Sequence, residues 1–334
     1  MFYFVVAIYN ARKYLRECLN SFLAQEPNAY SVVLVNDGST DDSADICREY
    51  CGAHSNFHLI STENHGPLHA RVTGLNYVLE HAAPSDYVWF VDSDDWIAPE
   101  SLSVLNEVLK NSEYDLVGMN YYDNESTIAP TADHAPKVLD GAGQVALNIL
   151  TDCEMSGVLW RYVYSVGAIQ SFDVTPYTSL RFCEDALQNV MMIEGCKRGI
   201  FIDRRLYHYR ECATSLSHSN LLPKILQSFT ADAAIKATIE RRGIWTEDDW
   251  KIYMKSLQGW AGWCMDTLVF SDRSFKEKKS DLSKLAECAF FRETIAGKQS
   301  SPAARLMLAG CFGSVILLKQ ARRSVRNLKK KLKS

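Results

Sequence analysis

Three carboxylates at the end of an apolar segment are the residues of this chain most able to do chemistry. The segment Tyr87–Val91 consists of aromatic and β-branched residues, which is typical of a buried strand, and Asp92, Ser93, Asp94 and Asp95 follow it directly. Ligands of open α/β sheets bind at the carboxyl ends of the strands. Carboxylates that converge there can hold a divalent cation, which needs only one or two of them when phosphate oxygens complete its coordination.

The same turn has a purely structural alternative. Asp94 or Asp95 could be the N-cap of a helix near Pro99–Lys110, since Asp is among the residues that N-cap positions favour. The elements around the turn must therefore decide between a ligand site and a helix cap.

Those elements alternate between strands and helices. Apolar residues recur every three or four positions in Tyr14–Leu23, as on one buried helical stripe. Ser31–Val35 is a continuous apolar run, typical of a strand buried on both faces of a parallel sheet. Ser39 and Asp42 resemble a capping box for a helix through Tyr50. The alternation predicts a doubly wound α/β sheet of nucleotide-binding type. The other predicted strands are Phe2–Ile8, Phe57–Ile60 and Tyr87–Val91, and the third helix is Leu68–Leu79.

After the acidic turn the pattern becomes mixed and then helical. The predicted helical or mixed segments are Glu100–Lys110, Val145–Leu150, Gly157–Ile169 and Glu184–Glu194, with extended segments at Leu116–Tyr122, Gly199–Ile202 and Leu206–Tyr209. Four further helices are expected at Leu222–Arg242, Glu247–Val269, Phe275–Ala296 and Ala303–Lys331. We therefore expect a first domain over residues 1–219 and a helical C-terminal region over residues 220–334.

Composition describes an ordinary globular protein with an uneven charge. The 334 residues are 47% hydrophobic and 23% charged, and no apolar run reaches the ~20 residues that span a bilayer. The ten cysteines form no Cys-x-x-Cys pair and no secretory signal is evident, which predicts reduced thiols and a cytoplasmic protein. The formal net charge is −4, yet Lys319–Lys333 holds eight cations and no acid, leaving 28 cations against 40 acidic residues elsewhere.

The basic segment at residues 319–333 has the composition of an amphipathic helix that lies on an anionic lipid surface. Its cations interleave with apolar residues, among them Val325 and Leu328. A solvated helix end and a nucleic-acid contact are the alternatives, and we favour the inner face of the plasma membrane with no nucleic acid. The C-terminal tryptophans indicate packing between helices rather than a sugar platform, and these helices are a candidate surface for homo-oligomers. The four tryptophans are Trp245, Trp250, Trp260 and Trp263.

Three polar loops lie at predicted strand ends, and a fourth motif leads into the third helix. The order of these four motifs resembles a known family. Ile-Tyr-Asn ending at Asn10, Asn-Asp-Gly-Ser-Thr-Asp around Asp37, Asn-x-Gly-x-x-x-Ala-Arg ending at Arg71, and Asp-Ser-Asp-Asp from Asp92 together resemble glycosyltransferase family 2. The resemblance extends from about Phe4 to Ser219. It implies the GT-A nucleotide-diphospho-sugar transferase fold, a Rossmann-like doubly wound mixed sheet, and a nucleotide-sugar bound through Mn²⁺ or Mg²⁺. Ala7 stands where the family usually has Pro.

The resemblance assigns the donor site. It implies that Ala7, Tyr9 and Asn10 lie around the base, and that Asp37 accepts from the base or ribose. Asp37 could also form an Asx-turn before Gly38. The remaining donor-site residues implied are Arg71 near the diphosphate or base, Asp92 and Ser93 at the ribose, and Asp94 with Asp92 at the metal. The alternative for Arg71 is a surface position on the third helix.

A second half-site is implied by Glu184 and Asp185. Inverting transfer needs one carboxylate to remove the proton of the acceptor hydroxyl, and the family's Glu-Asp pair supplies it, with Asp185 as general base and Glu184 orienting it. An acidic helix N-terminus is the alternative. The resemblance implies that His208 and Arg210 reach the diphosphate. The alternative for His208 is an ordinary histidine at a strand edge.

The expected function is therefore an inverting, metal-dependent glycosyltransferase. It would move a sugar from a nucleotide-sugar, with a UDP-sugar as the expected donor, to a hydroxyl of a glycan or lipid-linked glycan acceptor during surface polysaccharide synthesis. The two alternatives are a catalytically idle GT-A module that acts as a partner subunit, and a sugar nucleotidyltransferase. The second would need a glycine-rich loop after the first strand, which Tyr9–Tyr14 lacks.

Overall fold

The computed structural model describes residues 1–26, 29–110, 113–122, 135–151, 157–210, 221–296 and 300–331, and side chains up to residue 326. Two compact units make up the chain. The first comprises Met1–Ser215 with Arg241–Ile244, and the second comprises Leu216–Glu240 with Trp245–Ser334.

The first unit is built on a mixed sheet with the order β3-β2-β1-β4-β8-β6-β9-β5, and β7 pairs with β9. β1, β2, β3 and β4 are parallel neighbours, whereas β8 runs antiparallel to both β4 and β6. The strands are β1 Phe2–Ile8, β2 Tyr30–Asp37, β3 Phe57–Thr62, β4 Tyr87–Asp92, β5 Trp96–Ile97, β6 Leu116–Tyr122, β7 Lys137–Asp140, β8 Tyr162–Ser165 and β9 Arg198–His208. The predicted doubly wound α/β fold is confirmed.

Six α-helices cover this sheet: α1 Leu15–Leu23, α2 Ser43–Ala53, α3 Pro67–His81, α4 Ser101–Leu109, α5 Ala142–Thr151 and α6 Glu184–Met192. The predicted stripe of α1 is buried, as Leu15, Cys18, Leu19 and Phe22 show. α3 lies close against β1 and β2, because a Cβ atom added at Gly74 would meet Val5 Cγ1 at 2.4 Å. A larger residue would push the helix off the sheet.

Several predicted boundaries differ from the structure. The two extended segments around Gly199 and Leu206 form one strand, β9, because it pairs along its length with β6 and β7. The capping box predicted from Ser39 and Asp42 is wrong: α2 begins at Ser43, and its first N–H is bound by Asp41 Oδ1 at 2.9 Å.

The second unit is helical. Its helices are α7 Leu221–Arg242, α8 Glu247–Phe270, α9 Phe275–Glu287, α10 Ala289–Ile295, α11 Pro302–Leu308 and α12 Phe312–Lys331. Two long predicted helices are thus each divided, at Cys288 with an extended ψ of 115° and at Gly310 with a φ of +71°. Left-handed backbone at a glycine is a common helix end.

The tryptophan rings of this unit contact one another within α8 and just before it rather than between two helices, and Trp260 Nε1 also donates to Ser228 Oγ of α7 at 3.0 Å. Trp245, Trp250 and Tyr253 meet edge to face, and Trp260 stacks on Trp263 at 4.8 Å, although Trp263 stays half exposed. Over the described ranges, none of the helices combines the length and the apolar character that crossing a bilayer requires. The cysteines within those ranges form no disulfide, and Cys153 and Cys212 lie outside them.

Candidate functional site

The parallel register brings the ends of three strands to one edge of the sheet. Ala7 pairs with Val35 of β2 and with Asp92 of β4, so the loops after all three strands start at the same level. Ala7 is partly buried and Tyr9 is half exposed just beyond it. The structure therefore brings these two predicted base-binding residues to the same edge as the acidic turn.

Asn10 joins the first two of these loops. It has a left-handed φ of +51°, and its Oδ1 accepts from Thr40 N at 2.8 Å. Its own N–H donates to Ser39 Oγ at 3.1 Å, which explains why Ser39 does not cap α2. Asn10 thus positions the edge of the site by holding the loop after β1 against the loop after β2.

Asp37 is 2% exposed and binds the turn that precedes α3. Its two carboxylate oxygens accept from His65 N at 2.9 Å and from Gly66 N at 2.8 Å. The Asp37 oxygens are thus used on this turn and not in an Asx-turn before Gly38, while the neighbouring Asn36 Oδ1 accepts from Ser39 N, three residues on, at 3.2 Å. Each Asp37 oxygen has further lone pairs with which to accept from a ligand.

Arg71 is the centre of the site. It is 7% exposed, so the surface alternative is wrong, and its guanidinium binds three carboxylates from distant parts of the chain. Nη2 donates to Asp92 at 2.9 Å, while Nη1 donates to Glu184 at 3.1 Å and to Asp185 at 2.6 Å. A buried cation with three anionic partners fixes the positions of all of them.

Asp185 lies at the start of α6, after Cys183 in a left-handed conformation with a φ of +61°. Besides Arg71, it accepts from Leu159 N at 3.4 Å. Burial raises the pKa of Asp185 to about 7; the charges of Glu184 and Asp92 add to this, and Arg71 opposes it. A carboxylate with a pKa near neutrality is suited to accept a proton. The acidic first turn of α6 is also favourable to the helix dipole, so the same geometry is compatible with the helix-terminus alternative.

Asp94 has the surroundings that a cation would satisfy. Burial raises its pKa to about 6, and the neighbouring charge of Asp92 adds to the effect. Among the described residues, no other residue donates a hydrogen bond to its carboxylate. Ser93 lies between the two, partly buried. The described ranges contain no group of three or more His, Cys, Asp or Glu side chains that could hold a metal alone. A divalent cation here would need ligand oxygens as well.

Asp95 has a different role from the helix cap considered above, which is wrong because α4 begins only at Ser101 after Glu100. The Asp95 carboxylate, 2% exposed, accepts from Tyr207 Oη at 2.7 Å and from Arg210 N at 2.7 Å. Burial, with the charges of the two neighbouring aspartates, raises its pKa to about 9. Asp95 therefore anchors the end of β9 to the acidic turn.

Arg210, predicted to reach the diphosphate, contacts the acidic turn. Its Nε donates to the Asp94 carbonyl oxygen at 2.8 Å and its Nη2 to Glu17 at 2.5 Å. His208 is not on a strand edge, because β9 has β6 and β5 on either side of it. Tyr207 and Glu17 were missed from the sequence, although Tyr207 lies inside the Tyr-His-Tyr-Arg segment that drew attention to Arg210. Ser215 and Ser217, in the Ser-x-Ser stretch that follows Arg210, lie outside the described residues.

Comparison with known sequences agrees with this geometry. Residues 3–157 match the sequence profile described as Glycosyl transferase family 2. Residues 3–157 are therefore similar in sequence to glycosyltransferase family 2. The match covers the strands whose ends carry Asp37, Asp92 and Asp94, and it stops before α6 and β9.

Two relatives similar to this chain come from Bacillus subtilis. The uncharacterized glycosyltransferase EpsJ is 29% identical over 217 residues, which cover 64% of this chain and 62% of EpsJ. The minor teichoic acid biosynthesis protein GgaA is 28% identical over 223 residues, covering 63% of this chain and 47% of GgaA. The chain thus spans less than two thirds of the length of either relative.

A solved structure shares the fold over nearly the whole chain. Staphylococcus aureus TarS residues 1–349, in complex with UDP-GlcNAc, superimposes with a TM-score of 0.72 at 17% identity. The superposition covers 97% of this chain and 91% of the TarS chain. The predicted GT-A fold is confirmed by this likeness and by the family 2 profile.

Proposed function

We propose that this chain is an inverting, metal-dependent glycosyltransferase. It moves a sugar from a UDP-sugar to a hydroxyl group of a glycan or lipid-linked glycan acceptor. Sequence similarity to glycosyltransferase family 2 supports the class of reaction, and the UDP-GlcNAc complex of TarS makes that nucleotide-sugar the first donor to test. The name of GgaA, a teichoic acid biosynthesis protein, supports a surface polymer as acceptor.

The observation that carries the proposal is the sharing of Arg71. Asp92 is on the donor side, at the end of β4, and Asp185 is at the start of α6, yet both lie within 3 Å of one guanidinium. Displacement at a sugar carbon requires the group that takes the acceptor proton to lie close to the bound donor. A single arginine that binds both carboxylates meets this requirement.

The reaction we assign balances with these residues. The acceptor hydroxyl oxygen attacks the anomeric carbon as the carbon–oxygen bond to the diphosphate breaks, and UDP leaves with the bonding electrons. The hydroxyl proton passes to the Asp185 carboxylate, whose pKa is raised to about 7 by burial. Arg71 keeps Asp185 in place. Glu184 binds the same guanidinium and orients Asp185.

On the donor side, Asp37 accepts from the base or ribose and Tyr9 with Ala7 lies beside the base. Asp94, with Asp92, would hold Mn²⁺ or Mg²⁺. The cation would neutralise the charge that develops on the leaving diphosphate. Arg210 lies beside Asp94, where it reaches the same phosphates.

Donor turnover tests the function. UDP-GlcNAc and other UDP-sugars are incubated with the purified chain in Mn²⁺ and in EDTA, and released UDP is measured. Release that requires the cation supports the proposal. No release from any donor with UDP still bound indicates an idle module, and pyrophosphate formation from UTP indicates a nucleotidyltransferase.

Calorimetric titration with UDP should give weaker binding in EDTA, and Asp94→Asn should lose the Mn²⁺ effect. Equal UDP affinities in Mn²⁺ and in EDTA would contradict the proposed role of the metal in donor binding.

The helix α12 supports a second part of the proposal, peripheral contact with an anionic membrane. From Gln320 to Arg326 every residue is exposed, and this stretch contains three arginines and no acid. The apolar Leu317 and Val325 are 62% and 55% exposed, and they lie about 12 Å apart along the helix axis at 1.5 Å per residue. Cations beside exposed apolar residues match a surface of anionic lipid.

Vesicle binding tests this contact. Lys319 is excluded from the deletion because it binds Asp266 of α8 at 2.7 Å, so the truncation ends the chain at Gln320. Each exposed cation contributes on the order of 1 kcal/mol near an anionic surface. The full chain should co-sediment with phosphatidylglycerol vesicles at low salt, and the truncated chain should not. Equal binding of both would contradict the membrane contact. Light scattering of both chains tests the proposed self-association of the C-terminal helices.

A further inference from the structure

A stack of rings and cations extends from the acidic turn across three strands of the first unit. We call it the cation–aromatic column and define it by its members in order: Tyr14, Arg210, Trp96, His208, Tyr122 and Arg205. The Arg210 guanidinium lies 4.6 Å from the Tyr14 ring and 4.4 Å from the Trp96 ring. At the other end, the Arg205 guanidinium lies 5.5 Å from the Tyr122 ring.

The register of the sheet produces the middle of the column. Trp96 of β5 and Tyr122 of β6 are both direct neighbours of His208 on β9. Neighbouring strands are ~4.8 Å apart, which is also the spacing of stacked rings. The ring centroids are accordingly 4.8 Å apart for Trp96 and His208 and 4.5 Å for Tyr122 and His208, with planes tilted by only 7° and 14°.

This arrangement does not suit a sugar platform. A sugar needs the open face of an aromatic ring, and both faces of His208 are covered by Trp96 and Tyr122. Both faces of Trp96 are covered as well, by His208 and by Arg210. Burial lowers the pKa of His208, which favours the neutral form of the ring over the imidazolium.

We infer that Trp96 is a positioning residue for Arg210. Stacking between two rings fixes the plane of the guanidinium, so that its edge bonds the Asp94 carbonyl oxygen and Glu17. An arginine held in this way keeps its cation beside Asp94 before the diphosphate binds. The inference rests on the proposed donor site, and it assigns to Trp96 part of the affinity for the UDP diphosphate.

The test is a double-mutant cycle on UDP affinity, measured by calorimetry in Mn²⁺. Trp96→Leu should weaken UDP binding by roughly 2- to 30-fold, the range that cation–π contacts span, and Trp96→Phe should restore most of the affinity. In an Arg210→Met background, Trp96→Leu should have no further effect, because the cation that it positions is gone. Acceptor KM should not change in Trp96→Leu.

Tyr114→Leu is the matched control, since Tyr114 lies 5.1 Å below another guanidinium, that of Arg198, in the same unit. It should leave UDP affinity unchanged. Full UDP affinity in Trp96→Leu, or an equal loss in the presence and absence of Arg210, overturns the inference. Full UDP affinity in Arg210→Met overturns the inference too, because Arg210 then does not contribute to the donor site. The proposed transfer reaction is tested separately, by donor turnover.

Discussion

Replacing Asp185 by Asn separates its chemical role from its structural one. The carboxamide has the same shape, but it cannot accept the hydroxyl proton. Asp185 contacts Arg71 Nη1 and Leu159 N, and the oxygen of an asparagine can accept from both, so Arg71 keeps its Nη2 bond to Asp92 on the donor side. We therefore expect Asp185→Asn to bind UDP as the unmodified chain does, while turnover falls.

The expected loss of rate follows from the position of the carboxylate. Positioned general bases contribute ~10²–10⁴-fold, and each factor of ten is ~1.4 kcal/mol of barrier, so the loss is about 3–5 kcal/mol. A base works best when its pKa is near the working pH, and burial raises the pKa of Asp185 to about 7. The amide has no comparable basicity, which places the expected effect in the upper half of this range.

The same raised pKa predicts the effect on stability. An aspartate with a folded pKa of about 7, against 3.8 in a model peptide, binds its proton more tightly in the folded state. Ionisation therefore costs stability, which falls as the pH rises from about 4 through 7, by at most about 4 kcal/mol for this one group. Asp185→Asn lacks this loss, so its free energy of unfolding should decrease less over that interval than that of the unmodified chain.

The assay measures UDP release from the donor, with an acceptor present, for both chains and for Glu184→Gln. Glu184 binds the same guanidinium at 3.1 Å and should have the milder effect if it only orients Asp185. If Glu184→Gln is inactive and Asp185→Asn is active, Glu184 is the general base and Asp185 orients it. If both variants keep full turnover, the base lies elsewhere and this acidic pair only begins a helix.

Two further expectations concern stability, measured by urea denaturation. Gly74→Ala should destabilise by about 1–3 kcal/mol, because the added Cβ meets Val5 at 2.4 Å, whereas Gly52→Ala, with nothing within 4 Å, should stabilise by up to about 1 kcal/mol. If Gly74→Ala also stabilised the protein, helix propensity would outweigh packing at that position. Tyr207→Phe should cost about 1–3 kcal/mol, because it leaves the buried Asp95 carboxylate without one donor; a neutral result would mean that water or protonation replaces that bond.

The sheet could be predicted from the sequence because its signals are local. The stripe of α1 and the continuous apolar run of β2 lie within ten residues each, and both segments formed the expected element. The division of the last long helix was the weaker part. Gly310 was visible in the sequence, but whether it bends a helix or ends it depends on a backbone conformation that composition alone does not determine.

The contacts inside the site could not be predicted in the same way. Arg71 meets Asp185 across 114 residues, and Asp95 meets Tyr207 across 112. Resemblance to a family indicated which residues belong near the donor, and the sequence does not determine that one buried arginine binds three carboxylates. Nor could Asp95 be distinguished from a helix cap, because caps and buried acceptors use the same residue type.

The distance along the chain between the halves of the site bears on how the protein folds. β4, which ends in the acidic turn, pairs with β1 and with β8, and β8 arrives more than seventy residues later. Contacts of this separation form late, since the chain between them must first be ordered. A fragment that ends at residue 157 would carry the whole family match and would still lack β8, α6 and β9. In such a fragment Arg71 would have lost two of its three anionic partners and Asp95 its phenol. The smallest piece of this chain able to fold into a complete site therefore extends at least to Arg210, and a newly made chain cannot hold the full carboxylate cluster around Arg71 until Asp185 has been synthesised.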